Sequence, residues 1–235
     1  RSLRIARKIK KINSKLKVIG LLDNFKPHES HFYDQIFNLG FVREMHGCIV
    51  QSEKVKKEIL EIHSAAKVET LFHPLYTKYG KIQLKEQCRV SLGIKSKFTI
   101  LYFGLVRKYK GLDLLIEATA KLKTIRNDFN VLAVGESYED SEPLLKLVEN
   151  CKIEDVFYWE NKFVPDNDVA KYFSVADIVV LPYRSASQSG IVQIAYHFNR
   201  PVIITKVGGL PEIVEEGKSG YIAYPNSSED IAKLM

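Results

Sequence analysis

From residue 97 onward, short runs rich in Val, Ile and Leu alternate with segments of helical periodicity. Near-continuous apolar runs are typical of strands that are buried on both faces of a parallel sheet. Helices that cross from one parallel strand to the next produce this alternation. The predicted strands are KFTILYFG, NVLAVG, VFYW, DIVVLPY and PVIITK, the last ending at residue 206. The sequence therefore predicts an α/β fold with a doubly wound parallel sheet, and PVIITK is predicted to be its last strand.

The first 78 residues follow the same rhythm in shorter segments. The predicted elements are the strands KVIGLLDN, CIVQS and KVETLFHP and the helix EKVKKEILEIH. The segment LYTKYGKIQLKEQCRVSLGIKS loses strand character and turns polar, which predicts a connector between two domains with the boundary near 78–95. We place these domains at 1–85 and 86–235. Because the chain starts with Arg and ends within SSEDIAKLM, we expect a fragment of a longer protein whose last helix is truncated.

The positive charge of the chain is concentrated at its beginning. The formal net charge is +7, and residues 1–17 contain eight Lys or Arg and no acid. Ile5, Ile9, Ile12 and Leu16 recur at helical spacing, which predicts a basic amphipathic helix with one buried stripe. The alternative partner for this helix is an anionic membrane surface. Nucleic acid is not expected, because no aromatic residues are interleaved with these charges.

Composition narrows the classes of function further. No apolar run reaches the roughly 18 residues that span a bilayer. The three cysteines, Cys48, Cys88 and Cys151, are scattered and fit neither a disulfide framework nor a metal knuckle. We therefore predict a cytoplasmic protein, with residues 1–17 as the candidate for peripheral attachment to the inner membrane face. The chain contains neither Gly-x-Gly-x-x-Gly nor a Walker sequence, which argues against dinucleotide oxidoreductases and P-loop hydrolases.

Five loops are expected to meet at one edge of the sheet. Ligands of doubly wound sheets bind at the carboxyl ends of the strands, so the loops that follow the predicted strands are the candidate site. These loops are GLVRKYKG (104–111), GESYED (135–140), ENKFVPDND (160–168), YRSASQSG (183–190) and KVGGLPE (206–212).

The first of these loops presents cations directly after a buried strand. It contains Arg107, Lys108 and Lys110, and Gly104 permits close approach of the backbone. Lys supplies a point charge and Arg a two-pronged fork for a phosphate or diphosphate. The alternative is an ordinary solvated loop.

The loop YRSASQSG contains no carboxylate and leads into a helix. The predicted buried stripe of that helix is Ile191, Ile194, Ala195 and Phe198. Ser187, Gln188, Ser189 and Gly190 precede or open it, where unpaired N–H groups and the helix dipole favour an anion. The alternative is a capping loop without a ligand.

Three segments carry a family resemblance: FGLVRKYKGLDLLIEA, FVPDNDVAKYFSVADIVVLPY and KVGGLPEIVEEGKSGYIAYPNSSEDIA. From about residue 97 to 235 the chain resembles the C-terminal half of the retaining GT-B glycosyltransferases of family 4, or group 1. Residues 1–78 resemble only the later part of the acceptor-binding N-terminal domain. The resemblance implies two Rossmann-like domains with parallel sheets, the N-terminal one incomplete in this chain.

The resemblance also implies an activity. Such an enzyme moves a sugar, typically a hexose, with retention from a nucleotide-diphosphate-sugar to a glycan or lipid-linked acceptor. It needs neither a metal nor another cofactor, and a role in cell-envelope or polysaccharide biosynthesis is expected. The sequence DND (166–168) matches the metal-binding Asp-x-Asp of the other glycosyltransferase fold, but its position predicts a helix cap.

By this resemblance the donor site is assigned residue by residue. The predicted diphosphate ligands are Gly104, Arg107, Lys110, Ser189, Gly190 and Ile191. The predicted sugar and nucleoside contacts are Glu136, Phe163, Val164, Pro165 and Gln188.

The sequence departs from the family pattern in two places. The family usually has a Glu-x7-Glu pair at the start of the helix after the serine-rich loop, and here Ala186 and Ile194 occupy those positions. Gln188 and Gln193 are the nearest polar residues, and Gln193 is predicted to be exposed. The family's Arg also precedes its Lys by five or six residues, whereas Arg107 precedes Lys110 by three.

Candidate catalytic residues follow the first predicted strand. Asp23 lies nearest the position where the family often has a His, and His28 and Glu29 follow in the same loop. In retaining enzymes of this type the leaving phosphate is thought to take the acceptor proton, so positioning and charge stabilisation matter more than a strong base. The alternatives for these residues are turn and cap chemistry. A metal site at HESH lacks further ligands and is not predicted.

Two other functions remain open at this point. Because the carboxylate pair is missing, the runner-up is a non-catalytic nucleotide-sugar-binding module of the same fold. A sugar-nucleotide epimerase is the third possibility. It would require His and carboxylate groups in the cleft, which are scarce in these loops.

Overall fold

The computed structural model describes residues 2–25, 34–71 and 73–235. The chain divides into a first unit, Arg1–His73 with Ala186–Gln188, and a second unit, Pro74–Ser185 with Ser189–Met235. Both units contain α-helices and parallel strands, which confirms the predicted α/β class. Residues 74–85, which the sequence analysis assigned to the first domain, are grouped with the second unit.

The first unit contains a three-stranded parallel sheet in the order β1-β2-β3. Its elements are α1 (Ser2–Ile12), β1 (Ile19–Leu22), α2 (Asp34–Glu44), β2 (Gly47–Val50), α3 (Glu53–Ile62) and β3 (Val68–Thr70). The Ser52 hydroxyl accepts a hydrogen bond from the Val55 N–H and so caps α3. Val55 and Ile59 of α3 are buried against the sheet with Val50 and Phe25.

The predicted buried stripe of the basic helix is wrong. Ile5 and Ile12 are 50% and 85% exposed, and Leu16 is exposed and lies beyond the end of α1. The helix packs on α2 through a different face, where Ala6 is buried. Arg7 Nε lies 3.0 Å from Glu44 Oε1 and fixes the helix in that orientation. Tertiary packing therefore selects the small residue and leaves two isoleucines among the cations.

The second unit contains a six-stranded parallel sheet in the order β6-β5-β4-β7-β8-β9. Its strands are β4 (Phe98–Phe103), β5 (Phe129–Val134), β6 (Phe157–Glu160), β7 (Ile178–Leu181), β8 (Val202–Thr205) and β9 (Gly220–Ala223). Its helices are α4 (Lys85–Ser91), α5 (Leu112–Lys123), α6 (Glu142–Cys151), α7 (Asp166–Val175), α8 (Gly190–His197) and α9 (Ser228–Leu234). Strand β9 corrects the prediction that PVIITK is the last strand, since it pairs with β8 from Val202↔Gly220 onward.

The strand order reverses between β4 and β7. The chain runs outward from β4 through β5 to β6, then returns to β7 and runs the other way through β8 to β9. β4 and β7 are direct neighbours, with Ile100 opposite Ile178 and Leu101 opposite Val179. Ligands of doubly wound sheets bind in the crevice at such a switch point. The loops that follow β4 and β7 are therefore the place to look for a site.

The connector that opens the second unit is held by side chains of α7 and α8. The Gln83 N–H donates to Ser174 Oγ over 2.9 Å, and His197 Nε2 lies 2.6 Å from the Gly80 carbonyl oxygen. Lys85 forms an ion pair with Asp177. The connector also contains a 3₁₀ turn, Thr77–Tyr79. This segment, predicted only as a polar connector, contains the helix α4.

Candidate functional site

The loops after β4 and β7 are bonded to each other at the switch point. The Arg184 N–H donates to the Tyr109 carbonyl over 2.7 Å, and the Arg184 guanidinium donates a forked pair to Asp113 at 2.7 and 2.8 Å. Gly111 has φ +67°, and a Cβ there would lie 2.1 Å from the Pro182 carbonyl oxygen. Only glycine allows this approach. The loop that contains the cations is therefore held in place by the loop that precedes α8.

Among the described residues, the ammonium group of Lys110 has no carboxylate partner. Its Nζ lies 5.6 Å from the centroid of the Tyr183 ring, and no acidic side chain of the described residues lies within ion-pair distance. Burial, aided by repulsion from Arg107, lowers the pKa of Lys110 to about 8. A partly buried ammonium next to another cation is unfavourable in isolation, and an anion placed beside it would relieve both effects.

Gly104 is the point where Lys110 and α8 meet. It has φ +111°, and a Cβ there would lie 3.6 Å from Lys110 Nζ and 3.4 Å from Ile191 Cδ1. The ammonium and the first turn of α8 therefore border the same small space. The five predicted loops all follow parallel strands of one sheet, so their predicted convergence at one edge is confirmed.

The start of α8 has the features of an anion site. The Ser189 hydroxyl accepts a hydrogen bond from the Ile191 N–H over 3.3 Å, and no acidic residue lies in the first turn. Burial raises the pKa of Tyr183, and a hydrogen bond with Ser189 offsets part of this rise. Ser189 thus connects the start of α8 to the Tyr183 ring, whose centroid lies 5.6 Å from Lys110 Nζ. The positive end of the helix and the ammonium would act on the same anion.

Arg107 lies at the border of this space but faces an acid. Its Nη1 is 3.4 Å from Glu139 Oε1, and its guanidinium carbon is 5.6 Å from the Tyr138 ring centroid. Arg107 and Glu139 also line a cavity of about 440 Å³, whose other walls combine apolar side chains of α5 and α6 with the charged side chains of Lys108, Asp113 and Asp140. The long and weak ion pair leaves the guanidinium able to turn to a stronger anion.

A second cavity of the same edge suits a flat ring. It has a volume of about 300 Å³ and lies at the ends of β4, β5 and β6. The residues that line it are Tyr79, Phe103, Gly104, Leu105, Val134, Gly135, Glu136, Tyr138, Lys162, Phe163, Val164, Asp166 and Val169. Gly104, Glu136, Phe163 and Val164 were predicted here from the sequence, whereas Pro165 is not among the lining residues. We refer to this cavity as the ring pocket.

Several residues of the ring pocket were not predicted. Tyr79, Tyr138 and Lys162 line it, and Lys162 Nζ lies 2.6 Å from Glu160 Oε2. The indole N–H of Trp159 donates to the Gly135 carbonyl over 3.2 Å. Tyr138 and Lys162 lie in two of the loops predicted to form the site, so their position in the sequence could have predicted contact with a ligand. Tyr79 lies in the connector, where no pattern points to a site.

The positions of the family's carboxylate pair are apolar and buried. Ala186 is 2% exposed and Ile194 is 4% exposed. Gln193 is 7% exposed, which corrects the prediction that it faces solvent. Gln188 lies in the loop between β7 and α8 and is grouped with the first unit. In the part of the chain that the structure describes, no carboxylate replaces the missing pair in α8.

Asp23 is the one candidate catalytic residue that lies within the described part of the first unit. Asp23 follows β1, is exposed, and lines a cleft of about 380 Å³ with Asn24, Phe37 and Asn38. His28 and Glu29 lie outside the described residues. Their predicted catalytic roles remain predictions.

Acidic residues at the start of α7 do not form a side-chain cap. Asp166 and Asp168 lie in the first turn of α7, and Pro165 occupies the cap position. Asp166 Oδ2 instead lies 2.8 Å from Lys78 Nζ. Within residues 2–25, 34–71 and 73–235, no cluster of three or more His, Cys, Asp or Glu side chains could hold a metal ion. No helix in these ranges is long and apolar enough to cross a bilayer.

The sequence profile described as Glycosyl transferases group 1 matches residues 85–235. The chain belongs to this family. It is 33% identical over 167 residues to the D-inositol 3-phosphate glycosyltransferase of Corynebacterium aurimucosum, covering 68% of this chain and 39% of that protein. It is 28% identical over 192 residues to the lipopolysaccharide 1,2-N-acetylglucosaminetransferase of Salmonella typhimurium, covering 78% of this chain and 50% of that protein.

Solved structures of this class share the fold. HepE of Anabaena, crystallised with UDP and glucose, superposes with a TM-score of 0.83 at 18% identity, covering 99% of this chain and 64% of that one. WaaG, a glycosyltransferase of lipopolysaccharide biosynthesis, superposes with a TM-score of 0.71 at 18% identity, covering 97% of this chain and 70% of that one. These likenesses confirm the GT-B fold. The group 1 chain described here spans half or less of the length of the curated relatives given above.

Proposed function

We propose that this group 1 chain is the donor-binding part of a metal-independent retaining glycosyltransferase. It would transfer a sugar from a nucleotide-diphosphate-sugar to a glycan or lipid-linked acceptor. One observation carries the proposal: the unpaired ammonium of Lys110 and the acid-free start of α8 meet around Gly104 at the β4/β7 switch point.

The geometry supports one arrangement of the parts of the donor. Gly104 lines the ring pocket and also borders Lys110 Nζ and the first turn of α8. A nucleotide whose base lies in the ring pocket would therefore place its diphosphate, joined to the base through the ribose, beside Lys110. The N–H groups at Gly190 and Ile191 would donate to that diphosphate, and Arg107 would leave Glu139 to join them. Glu136 lies on the nucleoside side of this path.

The chemistry asked of these groups is charge stabilisation. As the bond from sugar to phosphate breaks, negative charge develops on the diphosphate, and preorganised cations and N–H groups stabilise that charge. In a retaining transfer on one face of the sugar, the acceptor oxygen bonds to the anomeric carbon as the bond to the phosphate oxygen breaks. The leaving phosphate lies on the same face and accepts the proton of the acceptor hydroxyl. Asp23, His28 and Glu29 are the candidates for positioning the acceptor side.

The names of the relatives support a proposal for the wider biological role. The names of two related proteins refer to an inositol phosphate and to lipopolysaccharide, and a structural neighbour was crystallised with UDP. These names support a nucleotide-sugar donor and a role in cell-envelope or polysaccharide biosynthesis. The free cysteines Cys48, Cys88 and Cys151 support a cytoplasmic location.

Helix α1 is proposed to touch an anionic membrane surface. Ile5 and Ile12 are exposed and seven residues apart, so they lie on one side of the helix with Lys8 between them. Apolar groups flanked by cations bind the interface of anionic bilayers. Co-sedimentation with vesicles should rise with their anionic lipid content, and Ile5→Ser with Ile12→Ser should lower it. Sedimentation that ignores lipid charge would contradict this role.

Calorimetry with UDP and GDP on the full-length protein tests the diphosphate assignment. Lys110→Ala with Arg107→Ala should weaken binding by a hundredfold or more, because each charged hydrogen bond contributes about 1.5–3 kcal/mol. Lys146→Ala is the matched control, since this exposed lysine of α6 pairs only with Glu142 among the described residues. If the double variant binds as tightly as the parent, the diphosphate assignment is wrong.

The second candidate is a non-catalytic nucleotide-sugar-binding module. The buried, apolar Ala186 and Ile194 favour it, because the carboxylate pair that contacts donor sugar and ribose in the family is absent. Donor hydrolysis or transfer by the full-length protein supports the enzyme. Tight donor binding without any turnover supports the module.

A further inference from the structure

The connector of the second unit reaches both ends of the proposed donor site with tyrosine rings. Tyr79 is part of the wall of the ring pocket, although no sequence pattern predicted it there. Tyr76 lies against the start of α8, where a Cβ on Gly190 would be 3.0 Å from Tyr76 Cε2 and 3.2 Å from its hydroxyl oxygen. The two rings contact each other with centroids 6.1 Å apart and planes tilted by 60°. One short segment thus borders the anion site and the ring pocket.

The Tyr79 ring is fixed by charged neighbours. Lys78 Nζ lies 4.7 Å from the centroid of the Tyr79 ring, a distance at which an ammonium is attracted to the π-system. The same Nζ forms a 2.8 Å ion pair with Asp166, and this bond raises the pKa of Lys78. Asp166 lies in the first turn of α7 and also lines the ring pocket. The chain Asp166–Lys78–Tyr79 therefore anchors the connector to the wall of the pocket.

The pocket already contains other aromatic side chains. Phe103, Tyr138 and Phe163 line it, and Phe163 and Tyr138 are 72% and 66% exposed. Such exposure of rings around a cavity is unfavourable in water and is relieved by a flat apolar ligand. Nucleobases stack on aromatic side chains with little preference for the base, because every base has a π-face.

We infer that Tyr79 is a base-stacking residue of the donor site, held for this purpose by the Lys78–Asp166 pair. The inference rests on the proposed function, and it assigns to the connector a part of nucleotide recognition. Tyr79 contacts the base and not the diphosphate. It therefore raises the affinity for a nucleoside diphosphate relative to bare pyrophosphate, whereas Lys110 acts on both.

Calorimetry on the full-length protein with UDP, GDP and inorganic pyrophosphate tests this division. Tyr79→Ala should weaken UDP and GDP binding by about tenfold or more, the stacking contribution of one base. Binding of pyrophosphate should not change. Tyr79→Phe should bind all three like the parent, and Tyr79→Leu, which keeps apolar bulk without a flat ring, should resemble Tyr79→Ala. Tyr224→Ala is the matched control, because this 69% exposed tyrosine follows β9, far along the sheet from the ring pocket.

The outcomes separate this inference from the proposed function. If the parent binds UDP and pyrophosphate but Tyr79→Ala and Tyr79→Leu bind UDP equally well, the stacking role is wrong and the proposed function stands. If Tyr79→Ala weakens UDP and pyrophosphate binding equally, the stacking role is also wrong, because the ring would then only support the connector. A parent that binds none of the three ligands overturns the proposed function, and this inference with it. Lys78→Met should reproduce part of the loss for UDP alone, because the ring is then no longer held.

Discussion

The two units of this group 1 chain are built from the same kind of parallel sheet but bury it differently. In the second unit, β5, β7 and β8 are buried along their whole length. In the first unit, alternate residues of β1 face outward, so that Ile19 and Leu21 are 55% and 64% exposed. A parallel sheet normally has both faces covered. Among the described residues, the comparison shows a sheet of the second unit that is covered on both faces and a strand β1 of the first unit that is covered on one face.

This difference matches the placement of the proposed chemistry. The residues assigned to the donor lie at the edge of the fully buried sheet, where the loops after β4 and β7 are bonded to each other. A site that must hold the ammonium of Lys110 close to the guanidinium of Arg107 needs a rigid support. We therefore expect donor binding to depend on the second unit far more than on the first.

A pair of leucine substitutions gives the largest expected contrast between the two units. Leu101→Ala in β4, where the side chain is fully buried, should lower the free energy of unfolding of the second unit by about 2–5 kcal/mol. Leu21→Ala in β1 should change stability by less than about 0.5 kcal/mol. Urea unfolding of the 235-residue chain measures both. Similar losses in the two variants would show that β1 is as well covered as β4.

The next effect concerns a charge that opposes folding. Lys110→Met should raise the free energy of unfolding near pH 7 by about 1–3 kcal/mol, allowing for its partial exposure, while weakening diphosphate binding by about tenfold or more. The folded pKa of Lys110, about 8, lies below its ordinary value of 10.5, so the charged form costs stability below pH 8. This cost disappears as the pH rises from 8 towards 10.5. The stabilities of variant and parent should therefore converge over that range, and a constant difference would contradict the assignment.

Replacing Gly104 tests the space shared by Lys110 and α8. Gly104→Ala should lower the free energy of unfolding by about 1–3 kcal/mol, because φ +111° is strained for any other residue, and should weaken UDP binding. Gly93→Ala is the matched control, since Gly93 has φ +65° and nothing within 4 Å of an added Cβ. That variant should lose stability but bind UDP normally. Loss of UDP binding in both variants would indicate a general effect of destabilisation.

The smallest expected effect is a pH dependence of donor affinity. UDP binding should weaken as the pH rises through about 8, since Lys110 then loses its proton in the free protein. The drop should be at most tenfold per pH unit, because one proton is involved. Lys110→Arg should remove the dependence, as arginine stays charged throughout. A pH profile that is the same in parent and Lys110→Arg would assign the titration to another group.

Much of the second unit was predictable because its strands are buried on both faces. The runs that form β4 to β8 are predominantly apolar, with few polar residues such as Thr99 and Asn130, and the loops after parallel strands share one edge of the sheet. The proximity of Lys110, which follows β4, and Gly190, which follows β7, was therefore predictable from the sequence. Strand β9 was missed because Gly220–Ala223 is a short edge strand that begins with glycine and exposes Tyr221.

Other features could not be read from local periodicity. Four consecutive residues of α8, Val192 to Ala195, are buried, so the helix has no polar face that would mark Gln193. In α1 the regular spacing was present, but packing against α2 used Ala6 instead of the isoleucines. Tyr79 reaches the ring pocket through an ion pair between Lys78 and Asp166, which lie 88 positions apart. Contacts of that range leave no trace in a short window.

The hydrogen bond from Trp159 to Gly135 has a practical consequence. Trp159 is the single tryptophan of the chain, and Gly135 lines the ring pocket. Indole emission responds to the polarity and motion of its immediate surroundings. With excitation that is selective for indole over phenol, the emission of Trp159 should therefore change when a nucleotide binds to or leaves the ring pocket, without an attached dye.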